Sequence, residues 1–121
     1  MELREAHLRY LLAIGELQGT TTRGIGTVEL AKYLPCSSAS VTNMVNNLME
    51  MGLLARKRYG KIYLTDEGSR LNAELSACMT VILQQLTALE LDLPIEELKG
   101  MSVSLLSRLS ADNRTRLASC V

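Results

Sequence analysis

The chain has 121 residues, 47% of them apolar, which is enough to bury one core without a stapling metal or disulfide. Its only aromatic residues are four tyrosines, so the core must be built from Leu, Val, Ile, Met and Ala, a composition that favours packed helices. Net charge is zero, which argues against a strongly basic protein, yet residues 1–65 carry eight basic and five acidic side chains (+3) and residues 66–121 carry five and eight (−3), so the front half is the one suited to an anionic partner.

Residues 2–17 predict a first helix, with Leu8, Leu11, Leu12 and Ile14 forming an apolar stripe that Gly19 ends. The glycine- and threonine-rich stretch Gly19 to Gly26 reads as a loop. Thr27 is placed to cap a short second helix, VELAKYL, which stops before Pro35. Ser37 and Ser38 are good caps for a third helix. Its positions Val41, Met44, Val45 and Leu48 recur at helical spacing, and Gly52 closes it.

LLARK and KIYLT then flank Tyr59-Gly60 as a β-hairpin. Thr65 can cap the next helix, with Asp66 and Glu67 at its positive end. From Asp66 to Leu89 apolar residues recur at three- and four-residue steps, giving one long amphipathic helix that exceeds what a small head needs and is a candidate dimer helix. Pro94 is tolerated in the first turn of a further helix, Gly100 marks an end or a bend, and Val103 to Leu109 predict a last short helix. The tail ADNRTRLASCV is expected to fray.

The order of helix, helix, helix, hairpin and long helix is that of a winged helix-turn-helix. The chain is therefore expected to be mainly α, with a DNA-binding head over residues 1–65 and a helical dimerisation region over 66–121. In such a head the second helix braces the third, whose outer face enters the major groove. That face carries Ser38, Ser40, Thr42, Asn43, Asn46 and Asn47, with no carboxylate before Glu50. Hydroxyls and amides of this kind bond phosphates and base edges, and the helix N-terminus favours a phosphate. Arg56, Lys57, Arg58 and Lys61 put four cations within six residues of the predicted hairpin tip, where they would hold the DNA backbone. A solvated hairpin protected from edge pairing would also carry such cations.

The stretch SSASVTNMVNNLMEMGLLARKRYGKIYLTDEGSRL resembles the reading head of the iron- and manganese-dependent repressors, the diphtheria-toxin-repressor family, with its S-x-x-S-V-T segment, G-L step, basic wing and L-T-x-x-G start of the long helix. The resemblance spans about residues 5 to 110, though the loop at Gly19 to Gly26 is longer than the family usually has. It implies a homodimer joined through C-terminal helices, binding a pseudo-palindromic duplex with Ser38, Ser40, Thr42 and Asn43 facing DNA. It also implies a divalent metal, but the positions that would hold it fall on Ala6, Arg9, Met79, Leu83, Val103, Leu106 and Ser107. Hard donors are almost entirely missing, and an arginine repels a cation. The expectation is a metal-independent relative with no cofactor, in which Leu83, Val103 and Leu106 pack where the ion would sit. A soft-metal site from His7, Cys78, Met79 and Met101 would need four segments to converge.

Cys36, Cys78 and Cys120 are odd in number and far apart, with one histidine in the chain, so neither a disulfide framework nor a zinc ribbon is expected. No glycine-rich phosphate loop, nucleophile elbow or Ser/His or Cys/His pairing points to catalysis, and the chain is not expected to be an enzyme. The charged start MELREAH and the absence of a long apolar run predict a cytoplasmic protein with no membrane partner. The leading expectation is a homodimeric, sequence-specific regulator of transcription that binds double-stranded DNA. The alternative is a winged-helix module that docks to a protein.

Overall fold

The apolar periodicity is realised as six helices and one hairpin in the computed structural model, which describes residues 2–19 and 23–120. Helices α1 (Glu5–Gln18), α2 (Thr27–Tyr33) and α3 (Ser38–Glu50) precede strands β1 (Leu54–Arg56) and β2 (Ile62–Leu64). Helices α4 (Asp66–Ala88), α5 (Ile95–Ser107) and α6 (Ala111–Ala118) follow. No helix among the described residues is long and apolar enough to cross a membrane. The chain divides into two compact units, residues 9–72 and residues 2–8 with 73–120.

In the first unit, Leu11 and Ile14 of α1, Leu30 of α2, Val41, Val45 and Leu48 of α3, and Leu53, Leu54 and Ile62 around the hairpin are buried. Val41, Val45 and Leu48 lie on one helical face, which turns the intervening polar residues outward. Gly52, at φ +78°, ends α3: its N–H donates to the Met49 carbonyl at 2.9 Å and that of Leu53 to the Leu48 carbonyl at 3.0 Å. This pair of bonds satisfies carbonyls that the helix end would otherwise leave open.

The hairpin pairs Leu54 with Leu64, Ala55 with Tyr63 and Arg56 with Ile62. Its connection is the three-residue turn Arg58–Gly60, with LLARK and KIYLT on either side as expected. Thr65 caps α4 as expected, accepting from the Gly68 N–H at 3.0 Å while its hydroxyl donates to the Gly52 carbonyl at 2.7 Å. Gly68 is needed there, since a Cβ would come within 2.0 Å of the Leu53 carbonyl oxygen.

Two details of the first unit depart from expectation. The loop before α2 is not plain: Ile25 and Ile62 exchange two backbone hydrogen bonds of 2.9 Å each, adding a bridge to the far side of β2. Its residues 20–22 lie outside the described residues. Thr27 is the first helical residue of α2 and not its cap; Glu29 accepts from the Gly26 N–H at 3.5 Å in its stead.

In the second unit the core is Leu8, Leu75, Cys78, Leu98, Val103 and Leu106, with Ser102 buried but bonded to the Leu98 carbonyl at 2.8 Å. The Ser104 hydroxyl donates to Glu5 at 2.6 Å, tying the start of α1 to α5. Gly100 neither ends nor bends a helix but lies inside α5, which runs on through Leu105 and Leu106. The tail expected to fray forms α6, because Ser110 caps it through the Asn113 N–H at 3.2 Å and Arg114 and Thr115 both bond Glu74 of α4.

Candidate nucleic-acid interface

Every polar residue that the sequence assigns to the outer face of the third helix is exposed on α3: Ser38, Ser40, Thr42, Asn43, Asn46 and Asn47. Ser37 is the cap. Its hydroxyl oxygen accepts from the Ser40 N–H at 3.1 Å and shares a 2.9 Å hydrogen bond with the Ser40 hydroxyl, so Ser40 is oriented before any ligand arrives. The first turn of α3 holds no carboxylate, so no acidic side chain of its own neutralises the positive end of its dipole.

What aims this helix is the turn that enters it. The Tyr10 hydroxyl of α1 lies 3.4 Å from Cys36 Sγ, immediately before the cap. Burial, then the bond to Cys36, pushes the Tyr10 phenol up to about 12. At the front of α2, Arg23 makes a two-armed bond to Glu29, at 3.1 and 2.6 Å, and a 3.0 Å bond to the Leu17 carbonyl. That bond from Arg23 lowers the Glu29 carboxyl below its ordinary range.

The four hairpin cations are brought to one tip, but they do not share one role. Arg56 is half-buried and its guanidinium donates to the Gly60 carbonyl at 2.8 Å, so it braces the turn as well as charging it. Lys57 lies 4.9 Å above the Tyr63 ring, a cation–π contact that leaves the ammonium at the surface. Arg58 and Lys61 are exposed. Between them Tyr59 is 93% exposed with φ +60°.

Lys32 is a further cation that the sequence reading passed over. It is exposed on α2 and lines a shallow depression with Pro35, Ser37 and Ser38 beside the start of α3. The available signal was its standing as the single basic residue of α2.

The positions that the resemblance assigns to metal ligands do not supply a donor set. Ala6 and Arg9 are exposed, Met79, Leu83 and Ser107 half-buried, and Val103 and Leu106 buried. Among the described residues, no group of three or more His, Cys, Asp or Glu side chains is arranged to hold an ion. Of the soft-donor candidates, Cys78 donates its thiol hydrogen to the Arg114 carbonyl at 3.2 Å, and burial raises its pKa, so a thiolate is disfavoured. His7 accepts from the Arg4 N–H at 2.9 Å, and Met101 is exposed. The residues present therefore do not fit a first-row divalent ion.

Residues 2–62 match the family described as iron dependent repressor, N-terminal DNA binding domain. Among curated proteins none matches the chain. Among solved structures, the manganese regulator SloR superposes with a TM-score of 0.74 at 22% identity, over 99% of this chain and 54% of that one. ScaR with bound Zn2+ gives 0.68 at 24% identity, over 94% and 52%. The hypothetical protein SSo2273 from Sulfolobus solfataricus gives 0.68 at 22% identity, over 98% and 88%. At these identities the likeness speaks to the fold. The chain spans about half the length of SloR and ScaR.

Proposed function

Since the chain belongs to the iron-dependent repressor family through its N-terminal DNA-binding domain, we propose that it is a cytoplasmic, homodimeric regulator of transcription that binds double-stranded DNA and needs no metal to do so. Residues 1–65 form the reading head and residues 66–121 the dimerisation region. The protein binds; it does not catalyse.

The observation that carries this reading is the exposed polar face of α3, free of carboxylates from Ser38 to Met49, together with the cationic hairpin tip. Thr42, Asn43 and Asn46 reach base edges in the major groove, where an Asn amide pairs with adenine in two bonds. Ser38 and Ser40, at the helix N-terminus, take a phosphate. Arg56, Lys57, Arg58 and Lys61 displace counterions from the neighbouring backbone. The dimer reading is supported by large apolar side chains left exposed in the second unit, Leu89 (63%), Ile95 (55%) and Leu105 (48%) among them.

Metal independence is supported by the donor chemistry above and by a direct bond between two of the helices that would carry the ligands, α1 and α5, with a second from α4 to α6. Glu5 of α1 meets Ser104 of α5, and Glu74 of α4 meets Arg114 of α6. These contacts link α1 to α5 and α4 to α6 directly.

A gel-shift titration of the purified protein on the DNA upstream of its own gene, with chelator and with added manganese, tests both claims. Equal binding in the two conditions is the expected result. Binding with manganese alone overturns metal independence, and no binding at low salt in either overturns the DNA reading in favour of a protein-docking module.

A further inference from the structure

Tyr59 is the most exposed large hydrophobic side chain of the chain's described residues, and it is held in a backbone conformation that a non-glycine residue rarely adopts, φ +60° and ψ +25°. The turn does not leave it there by laxity. The Gly60 N–H donates to the Lys57 carbonyl at 3.0 Å, the Lys57 N–H to the Lys61 carbonyl at 2.9 Å, and Arg56 to the Gly60 carbonyl at 2.8 Å. Asparagine or glycine would suit this position better on backbone grounds. The ring gives nothing to the core, so neither local propensity nor packing accounts for it. Non-glycine residues held in this way cluster at functional sites.

Its neighbours name the partner. Lys57, Arg58 and Lys61, all exposed, flank Tyr59 along the turn, and a flat amphipathic ring on a positively charged tip complements a polyanion with apolar sugar edges. We propose that Tyr59 is a DNA-contacting residue whose ring packs against a deoxyribose at the edge of the groove while its hydroxyl donates to the adjoining phosphate oxygen. This inference rests on the DNA-binding reading above. The contact carries affinity and no sequence preference, because sugar and phosphate are the same at every base pair.

The test compares the full chain with Tyr59→Ala, Tyr59→Phe and Lys61→Ala on the upstream DNA and on a scrambled duplex across a salt series. Tyr59→Ala is expected to weaken both duplexes about 5- to 20-fold with an unchanged salt slope, as loss of an uncharged contact requires. Tyr59→Phe is expected to lose less, and Lys61→Ala to lower the slope by about one. A Tyr59→Gly variant that melts no lower than the natural chain yet binds as weakly as Tyr59→Ala separates contact from folding. Wild-type affinity for Tyr59→Ala on both duplexes overturns the inference, leaves the DNA reading standing and assigns the tip to a protein. A loss confined to the upstream DNA overturns the backbone contact. If the natural chain binds neither duplex at low salt, the DNA reading falls and this inference with it.

Discussion

The hydroxyl of Tyr10 and the thiol of Cys36 meet at 3.4 Å, joining α1 to the turn that enters α3. The phenol, pushed up to about 12, keeps its proton in the folded chain at a pH where an unfolded tyrosine, near 10, has lost it. The stabilising difference is fully present below about pH 10 and is lost as pH rises through about 12. Tyrosinate absorbance should show one residue titrating late, and that component should be absent from Tyr10→Phe. The same variant should flatten the fall in melting temperature between pH 10 and 12. An unchanged absorbance titration in Tyr10→Phe counts against the contact.

Two glycines in helices should respond oppositely to the same substitution. Gly68→Ala drives a methyl to within 2.0 Å of the Leu53 carbonyl oxygen and should destabilise by about 3 kcal/mol or more. Gly100 lies inside α5 with nothing within 4 Å of an added Cβ. Gly100→Ala should therefore stabilise by about 0.5–1 kcal/mol. Urea unfolding of both variants checks the pair.

The attachment of α6 rests on Glu74. Arg114 and Glu74 are 15% and 27% exposed, so their pairing is screened less than a surface ion pair, and Thr115 adds a 3.1 Å bond. Glu74→Ala should cost about 1–2 kcal/mol and raise hydrogen exchange across Ala111–Ala118 ahead of α5. Equal exchange in the two helices would place the hold on α6 elsewhere.

On the DNA side, α3 and the hairpin should separate in kind. Thr42→Ala with Asn43→Ala should cost about 1–3 kcal/mol per lost base contact on the preferred sequence and little on others. Arg58→Ala should weaken all sequences alike and reduce the salt slope by about one. Arg56→Ala should do more than Arg58→Ala, because it also frees the Gly60 carbonyl. Competition titrations at two salt concentrations distinguish these outcomes.

The helices of the head were legible because their signals are local. Val41, Val45 and Leu48 repeat at helical spacing, Ser37 caps, and Gly52 stops the helix in a left-handed conformation that glycine adopts without steric cost. Ile25 was not legible. It is a lone apolar residue between glycines, and its partner Ile62 lies in a distant segment, so only tertiary pairing reveals it. The last helix was missed for a related reason: α6 has no fully buried residue to mark a period, and its fixation comes from Glu74 across the unit. Gly100 misled because an interior glycine and a terminal one look alike without context. Residue types marked which side chains of α3 and the hairpin would stand exposed, but they could not show that Arg56 turns back onto the Gly60 carbonyl or that Tyr59 is held outward.

The bridge between Ile25 and Ile62 also bears on how the protein behaves when crowded. It covers the outer margin of β2 at Ile62, the apolar end of a strand that a lone hairpin would present to any passing chain. Among the described residues β1 pairs with no second strand, and it is only three residues long and runs into Arg56 and Lys57, where a second copy arriving to add a strand meets like charge. Concentrated solutions should accordingly resist fibrous aggregation seeded at the hairpin, and a substitution such as Ile25→Pro, which removes the N–H that β2 receives, should bring it on.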